Sequence, residues 1–153
     1  MTQTTRRPFL PLRWFIRAAW AVHRAVYRLS GGRRGLRPPT PATYGILGIH
    51  TIGRRSGVER MAMLGYFEDG PNLFTLAMNG WGDPEPAWWL NLQAQPDTEA
   101  MVGHEWRRVH AREASDAERE ELWPRFVDMY RGYDHYKEIA SREMPVVVLE
   151  VGR

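Results

Sequence analysis

Residues 44–67 read YGILGIHTIGRRSGVERMAMLGYF, and this stretch decides the fold class. Tyr44–Ile52 and Glu59–Phe67 are rich in residues that suit a pleated, half-buried surface. Between them lies the short Gly-flanked turn Gly53-Arg54-Arg55-Ser56-Gly57, so the pair reads as an antiparallel hairpin. Working outward, Asp69-Gly70-Pro71-Asn72 is a tight turn before a third strand over Leu73–Met78. Asn79–Pro86 is an irregular loop, and Ala87–Ala94 is a short helix closed by Pro96. Thr98–Gly103 and Trp106–Glu113 form another hairpin, and Pro145–Val151 is a last buried strand. Ser115 and Glu118 have capping-box spacing and open a helix. Pro124 kinks or restarts that helix, which runs on towards Tyr136. Consecutive hairpins with helices outside the pattern predict a mainly β, antiparallel barrel or sheet and exclude a parallel α/β sheet.

Upstream, residues 12–29 predict an amphipathic helix. Arg13, Arg17, Arg24 and Arg28 fall within about 60° of one another at helical spacing, opposite Leu12, Phe15, Ala19, Val22, Val26 and Leu29. The favoured reading packs this helix on the domain with its arginines in water; the sharper one lays it on a membrane surface. Residues 1–43 are thus a basic helix and linker, and 44–153 the folded domain.

With 153 residues, 43% hydrophobic and 25% charged, the chain is one globular domain's worth rather than a disordered segment. It has no cysteine, which removes disulfides, thiolate nucleophiles and cysteine metal sites. Eleven of the 21 basic residues precede Glu59, the first acidic side chain; the other ten face all 18 carboxylates. That positive pole suits a phosphate, an anionic cofactor tail or a lipid surface. A nucleic-acid partner is not expected, because no known motif interleaves the basic residues with aromatics. Thr5-Arg6-Arg7-Pro8-Phe9-Leu10 has the look of a twin-arginine signal, but Arg13, Arg17, Arg24 and Arg28 interrupt any apolar stretch after it. They equally rule out a membrane span there. A cytoplasmic location is expected, peripheral at the inner face of the membrane if the helix lies on lipid.

Three constellations carry chemistry. In Thr51-Ile52-Gly53-Arg54-Arg55-Ser56-Gly57 the glycines permit close backbone approach, while amides, a hydroxyl and two forked cations suit phosphate oxygens. Taken alone, that string reads first as a polar hairpin turn with surface arginines. Ala77-Met78-Asn79-Gly80-Trp81-Gly82 leads into Pro86-Ala87-Trp88-Trp89-Leu90-Asn91-Leu92, which brings indoles beside an asparagine and suits a flat apolar slot; Trp88, Trp89 and Leu92 read also as core of a short helix, and both hold if one indole faces inward and the other a ligand. Tyr130, Tyr133 and Tyr136, three apart, drift by about 120° over a helix and share a broad face; this reads equally as packing with phenols at the rim and as an aromatic lid with hydroxyls for an acceptor. The five histidines lack metal-ligand spacing, so no metal is expected. Ser56 lies in no nucleophile elbow.

Together these strings resemble the deazaflavin (F420)-dependent nitroreductase and quinone reductase family of actinobacteria. The turn Gly53–Gly57, Arg60, Leu64, the Pro86-x-Trp88-x-x-Asn91-Leu92 segment, Pro96, Ala111-Arg112, the tyrosines and Pro145-Val146-Val147-Val148 agree in order. The resemblance implies a split β-barrel akin to FMN-binding oxidases, coenzyme F420, and hydride transfer to a quinone or nitroaromatic. It implies cofactor contacts from Thr51, Gly53, Arg54, Arg55, Ser56, Gly57, Arg60, Met63, Leu64, Met78, Asn79, Gly80, Ala87, Trp88 and Asn91, with Tyr130, Tyr133 and Tyr136 closing the acceptor site. Homodimers and peripheral membrane contact are compatible with it. The family often has proline at Met63 and serine at Met78, and a thioether cannot reproduce that hydroxyl. The alternatives are FMN on the same fold, a cofactor carrier without turnover, and a membrane-surface adaptor.

Overall fold

A computed structural model describes residues 13–78, 85–129, 134, 135, 138 and 143–152. Six strands, β1 (Gly45–Ile52), β2 (Glu59–Asp69), β3 (Asn72–Leu76), β4 (Asp97–Val102), β5 (Glu105–Glu113) and β6 (Val146–Val151), close a barrel in the order β1-β2-β3-β6-β5-β4. Every pairing is antiparallel. The helices are α1 (Arg13–Leu29), α2 (Ala87–Ala94) and α3 (Asp116–Met129). This is the split barrel that the sequence predicts. The third strand stops at Leu76 rather than Met78.

Because alternate strand residues face opposite ways, β2, β3 and β6 each feed two cores. Leu47, Ile49, Leu64, Tyr66, Leu73, Val109, Ala111, Val147 and Leu149 fill the barrel, joined by Trp89 and Leu92 of α2. Their strand neighbours Phe67, Phe74, Val146 and Val148 point outward under Leu122, Trp123 and Phe126 of α3. Phe67 lies 4.5 Å from the Phe126 ring, centroid to centroid. α2 therefore belongs to the barrel interior and α3 to its outer wall.

The start of α3 is built as its sequence predicts. The Glu118 amide donates to Ser115 Oγ (3.3 Å), and the Ser115 amide donates to Glu118 Oε2 (2.8 Å). α3 runs through Pro124 as one helix, where the sequence predicts a kink or restart. Glu118 also takes two hydrogen bonds of 2.7 Å from Arg112. That fork, with the Ser115 amide, holds the Glu118 carboxyl down at about 2 against an ordinary 4.5. A depressed carboxyl contributes stability that is complete above its unfolded value and disappears as pH falls from about 4.5 through 2. Glu118→Gln keeps a capping acceptor and removes the charge. With both side chains about a third exposed, the loss at pH 7 is on the order of 1 kcal/mol, or about 2–4 °C in Tm. Thermal melts should converge for the two proteins as pH approaches 2; an equal gap at every pH would contradict the assignment.

α1 departs from the favoured expectation. Its apolar positions Trp14, Phe15, Val22, Val26 and Leu29 are exposed, Leu29 to 89%. Among the described residues it is tied to its own exit: His23 Nε2 is hydrogen-bonded to Gly35 O, and Tyr27 packs against Gly32 and Gly35. Amphipathic periodicity specifies that a face seeks apolar cover, not which surface supplies it.

Candidate cofactor site

The turn between β1 and β2 is closed from within. Gly53 N donates to Val58 O at 2.9 Å and Gly57 N to Gly53 O at 2.8 Å, while Val58 N donates to Ser56 Oγ at 3.2 Å. Gly57 has φ +69° with open space where a side chain would stand, so glycine is needed there for conformation. At Gly53 a Cβ would come within 2.5 Å of Ser56 Oγ. These bonds occupy the amides of Gly53, Gly57 and Val58, and the Arg54 amide donates to Asn91 Oδ1 at 3.1 Å. Among the described residues, the Arg55 and Ser56 amides donate to no protein acceptor. The anion donors of the turn are thus those two N–H groups and the Ser56 hydroxyl proton.

Charge concentrates at the same place. Arg54 and Arg55 are exposed on the turn, and Arg60 Nε lies 3.6 Å from where a Gly53 Cβ would be. No carboxylate of the described residues forms an ion pair with these three arginines. Three guanidiniums without counter-ions among the described residues, next to two free amides, are the donor set a phosphate requires. On this observation the site fits a phosphate-bearing cofactor. A neighbouring hollow of about 170 Å³ is lined by Glu59, Asp97 and Glu99 with His50; its carboxylates would repel an anionic tail.

α2 sets the other wall. Trp89 is 2% exposed inside the barrel, whereas Trp88 is only partly buried against the same cluster, so the two indoles divide as inward and outward partners. Their centroids are 6.3 Å apart. Ala87 is exposed one residue earlier. Asn91 is buried and reaches the turn: Oδ1 accepts from Arg54 N and from Arg54 Nη1 (3.4 Å), and Nδ2 donates to Thr51 Oγ1 (3.3 Å).

The structure therefore brings together Thr51, Gly53–Gly57, Arg60 and Asn91, with Ala87 and Trp88 on the helix that carries Asn91. Leu64 stands apart, packed in the barrel interior. Met63, beside it on β2, takes the opposite face of the strand, so one slot cannot receive both side chains. Met78 packs against the outer cluster beneath α3. Tyr66 is not among the residues the sequence points to: burial foremost, then Glu68, pushes its phenol up, and its Oη lies buried with no partner among the described residues. Asn79, Gly80, Tyr130, Tyr133 and Tyr136 lie outside the described residues. Missed in the sequence was the bond between Asn91 and the turn, because 37 residues separate Asn91 from Arg54 and no local pattern links them.

Among the described residues no group of histidine, cysteine or carboxylate side chains is arranged to hold a metal. No helix among them is long and apolar enough to cross a membrane.

Residues 20–151 match the family model described as F420H(2)-dependent quinone reductase. An F420H(2)-dependent quinone reductase of Mycobacterium tuberculosis is 36% identical over 133 residues, covering 84% of this chain and 87% of that protein. Among solved structures, an F420-H2 dependent reductase superposes with a TM-score of 0.61 at 29% identity, over 69% of this chain and 93% of its own. A structure described as a domain-swapped dimer superposes with a TM-score of 0.63 at 26% identity, over 88% of this chain and 99% of its own. The chain belongs to the F420H(2)-dependent quinone reductase family: it is an oxidoreductase whose electron carrier is coenzyme F420.

Proposed function

We propose that the β1–β2 turn grips the cofactor phosphate and that the acceptor is a quinone, with nitroaromatics as secondary substrates. The observation that carries this reading is the cluster of Arg54, Arg55 and Arg60, unneutralised among the described residues, around the free Arg55 and Ser56 amides. When bound, the reduced deazaflavin supplies a hydride. The chain's own part is to hold and orient. Arg55 and Arg60 neutralise the phosphate, while Arg54 is steered by Asn91. Trp88 offers an indole face as one wall of the ring slot, and Ala87 leaves room beside it. Asn79 and Gly80 contribute from the loop before α2. Tyr133 Oη, flanked by Tyr130 and Tyr136, gives a proton to the acceptor carbonyl oxygen, and that proton is restored from water. Leu64 serves this site by filling the barrel behind it. Met78 supplies no hydroxyl for a nitro group, which supports quinone over nitroaromatic.

α1 is the membrane contact in this reading. Trp14, Phe15, Val22, Val26 and Leu29 are exposed, and Arg17 and Arg28 lie in water on the opposite face. Anionic lipid matches that composition; quinones carried in the bilayer would then reach the site directly. Deleting residues 1–35 should abolish sedimentation with vesicles containing phosphatidylglycerol and leave F420H2-dependent reduction of soluble menadione intact. Equal vesicle binding by the truncated chain would remove the membrane role. A truncated chain that instead changes from dimer to monomer would assign α1 to a second copy of the chain.

A further inference from the structure

Asn91 is 4% exposed, and its side chain makes three hydrogen bonds, all of them to β1 or to the turn that follows it. Both lone pairs of Oδ1 are filled by Arg54, one from the backbone amide and one from Nη1; Nδ2 meets the hydroxyl of Thr51, itself 3% exposed. The orientation of the carboxamide is fixed by this network, since only oxygen can face the Arg54 N–H. The helix carrying Asn91 is anchored on both sides of it by buried Trp89 and Leu92. The barrel core thereby transmits a fixed position to the turn.

We propose that Asn91 is a positioning residue for the phosphate turn rather than part of the wall of the deazaflavin slot. It holds Arg54, main chain and side chain together, so that the next two amides, of Arg55 and Ser56, and the guanidinium of Arg54 are set before a ligand arrives. This rests on the proposed phosphate grip. It differs from the expectation that Asn91 lines the ring, because its oxygen is already occupied. The consequence is selective: loss of the carboxamide weakens ligands that carry the phosphate and leaves the bare chromophore alone. Preorganised donors bind more tightly than donors that must be ordered on binding.

The test compares wild type with Asn91→Leu, close in size but without hydrogen bonds, and Asn91→Asp. Binding of coenzyme F420 and of 5-deazariboflavin, which lacks phosphate, is titrated by absorbance; amide hydrogen exchange at Arg54 is followed without ligand. In Asn91→Leu, F420 binding should weaken on the order of tenfold or more, 5-deazariboflavin binding should not change, and Arg54 exchange should quicken. Asn91→Asp keeps acceptors for both Arg54 donors and lets Thr51 donate instead, so slow exchange should return. Its charge, paired with Arg54, should still lower affinity for F420 alone, and that variant carries the test if Asn91→Leu does not fold. Equal weakening of both ligands places Asn91 against the ring and overturns the proposal, as does unchanged F420 affinity with unchanged exchange. Failure of wild type to bind F420 defeats the phosphate reading itself; the exchange comparison then still decides whether Asn91 positions Arg54.

Discussion

Replacing Arg54 and Arg55 together by alanine should weaken binding of coenzyme F420 by a hundredfold or more while leaving the thermal midpoint almost unmoved. Each lost charge-assisted hydrogen bond is worth about 1.5–3 kcal/mol, and about 1.4 kcal/mol is a factor of ten in affinity. Both side chains are exposed and outside both hydrophobic clusters, so the barrel does not depend on them. The two changes should not be additive. Arg54 is tied to Asn91 at 3.4 Å, so its removal disturbs the turn that also presents the Arg55 amide. Arg54→Ala should therefore cost more than Arg55→Ala. Titration of cofactor absorbance reads the effect, with a melting curve as the control. Unchanged affinity in the double variant would return Gly53–Gly57 to an ordinary hairpin turn.

Tyr133→Phe should lower turnover with menadione by roughly 10–100-fold and hardly move F420 affinity. Phenylalanine keeps the ring, so a change confined to kcat isolates the hydroxyl. Tyr130, Tyr133 and Tyr136 follow α3 in sequence at intervals of three, and Tyr133 is the middle one, so on a helix it would be central. Tyr66, in contrast, is buried in the barrel and its phenol is pushed up, so it cannot substitute as a donor at the surface. Steady-state rates for the three single Tyr→Phe variants decide the point. If all three retain full activity with quinone and nitroimidazole, the tyrosines only pack, and the acceptor proton comes from elsewhere.

The features legible in the sequence are those whose cause is local. Asp69-Gly70-Pro71-Asn72 predicts a tight hairpin, and Gly70 adopts φ +57° there. Ser115 and Glu118 predict a capped helix start, and both reciprocal bonds are present. Ala87–Ala94 is a helix over the predicted residues. Closure of the barrel is less accessible, since β1 with β4 and β3 with β6 pair across long separations that no turn signal announces. Parity is a similar case. The motif order groups Met63 with Leu64, yet a strand sends one outward and one into the core. Within the turn, composition supplies donors but cannot tell which are already used; that depends on Asn91, far along the chain. α1 illustrates the converse: its periodicity is right, and its apolar face has no cover among the described residues.

On the proposed reading, the arginine-flanked turn and the α2 wall hold a phosphate-bearing deazaflavin. The most direct measurement of this is a titration of the purified chain with coenzyme F420 and, separately, FMN, followed by mixing the F420H2 complex with menadione. The account predicts saturable F420 binding that is tighter than that of FMN, and oxidation of F420H2 on addition of the quinone. Tight FMN binding with no response to F420, or F420 binding with no quinone-dependent oxidation, would contradict it.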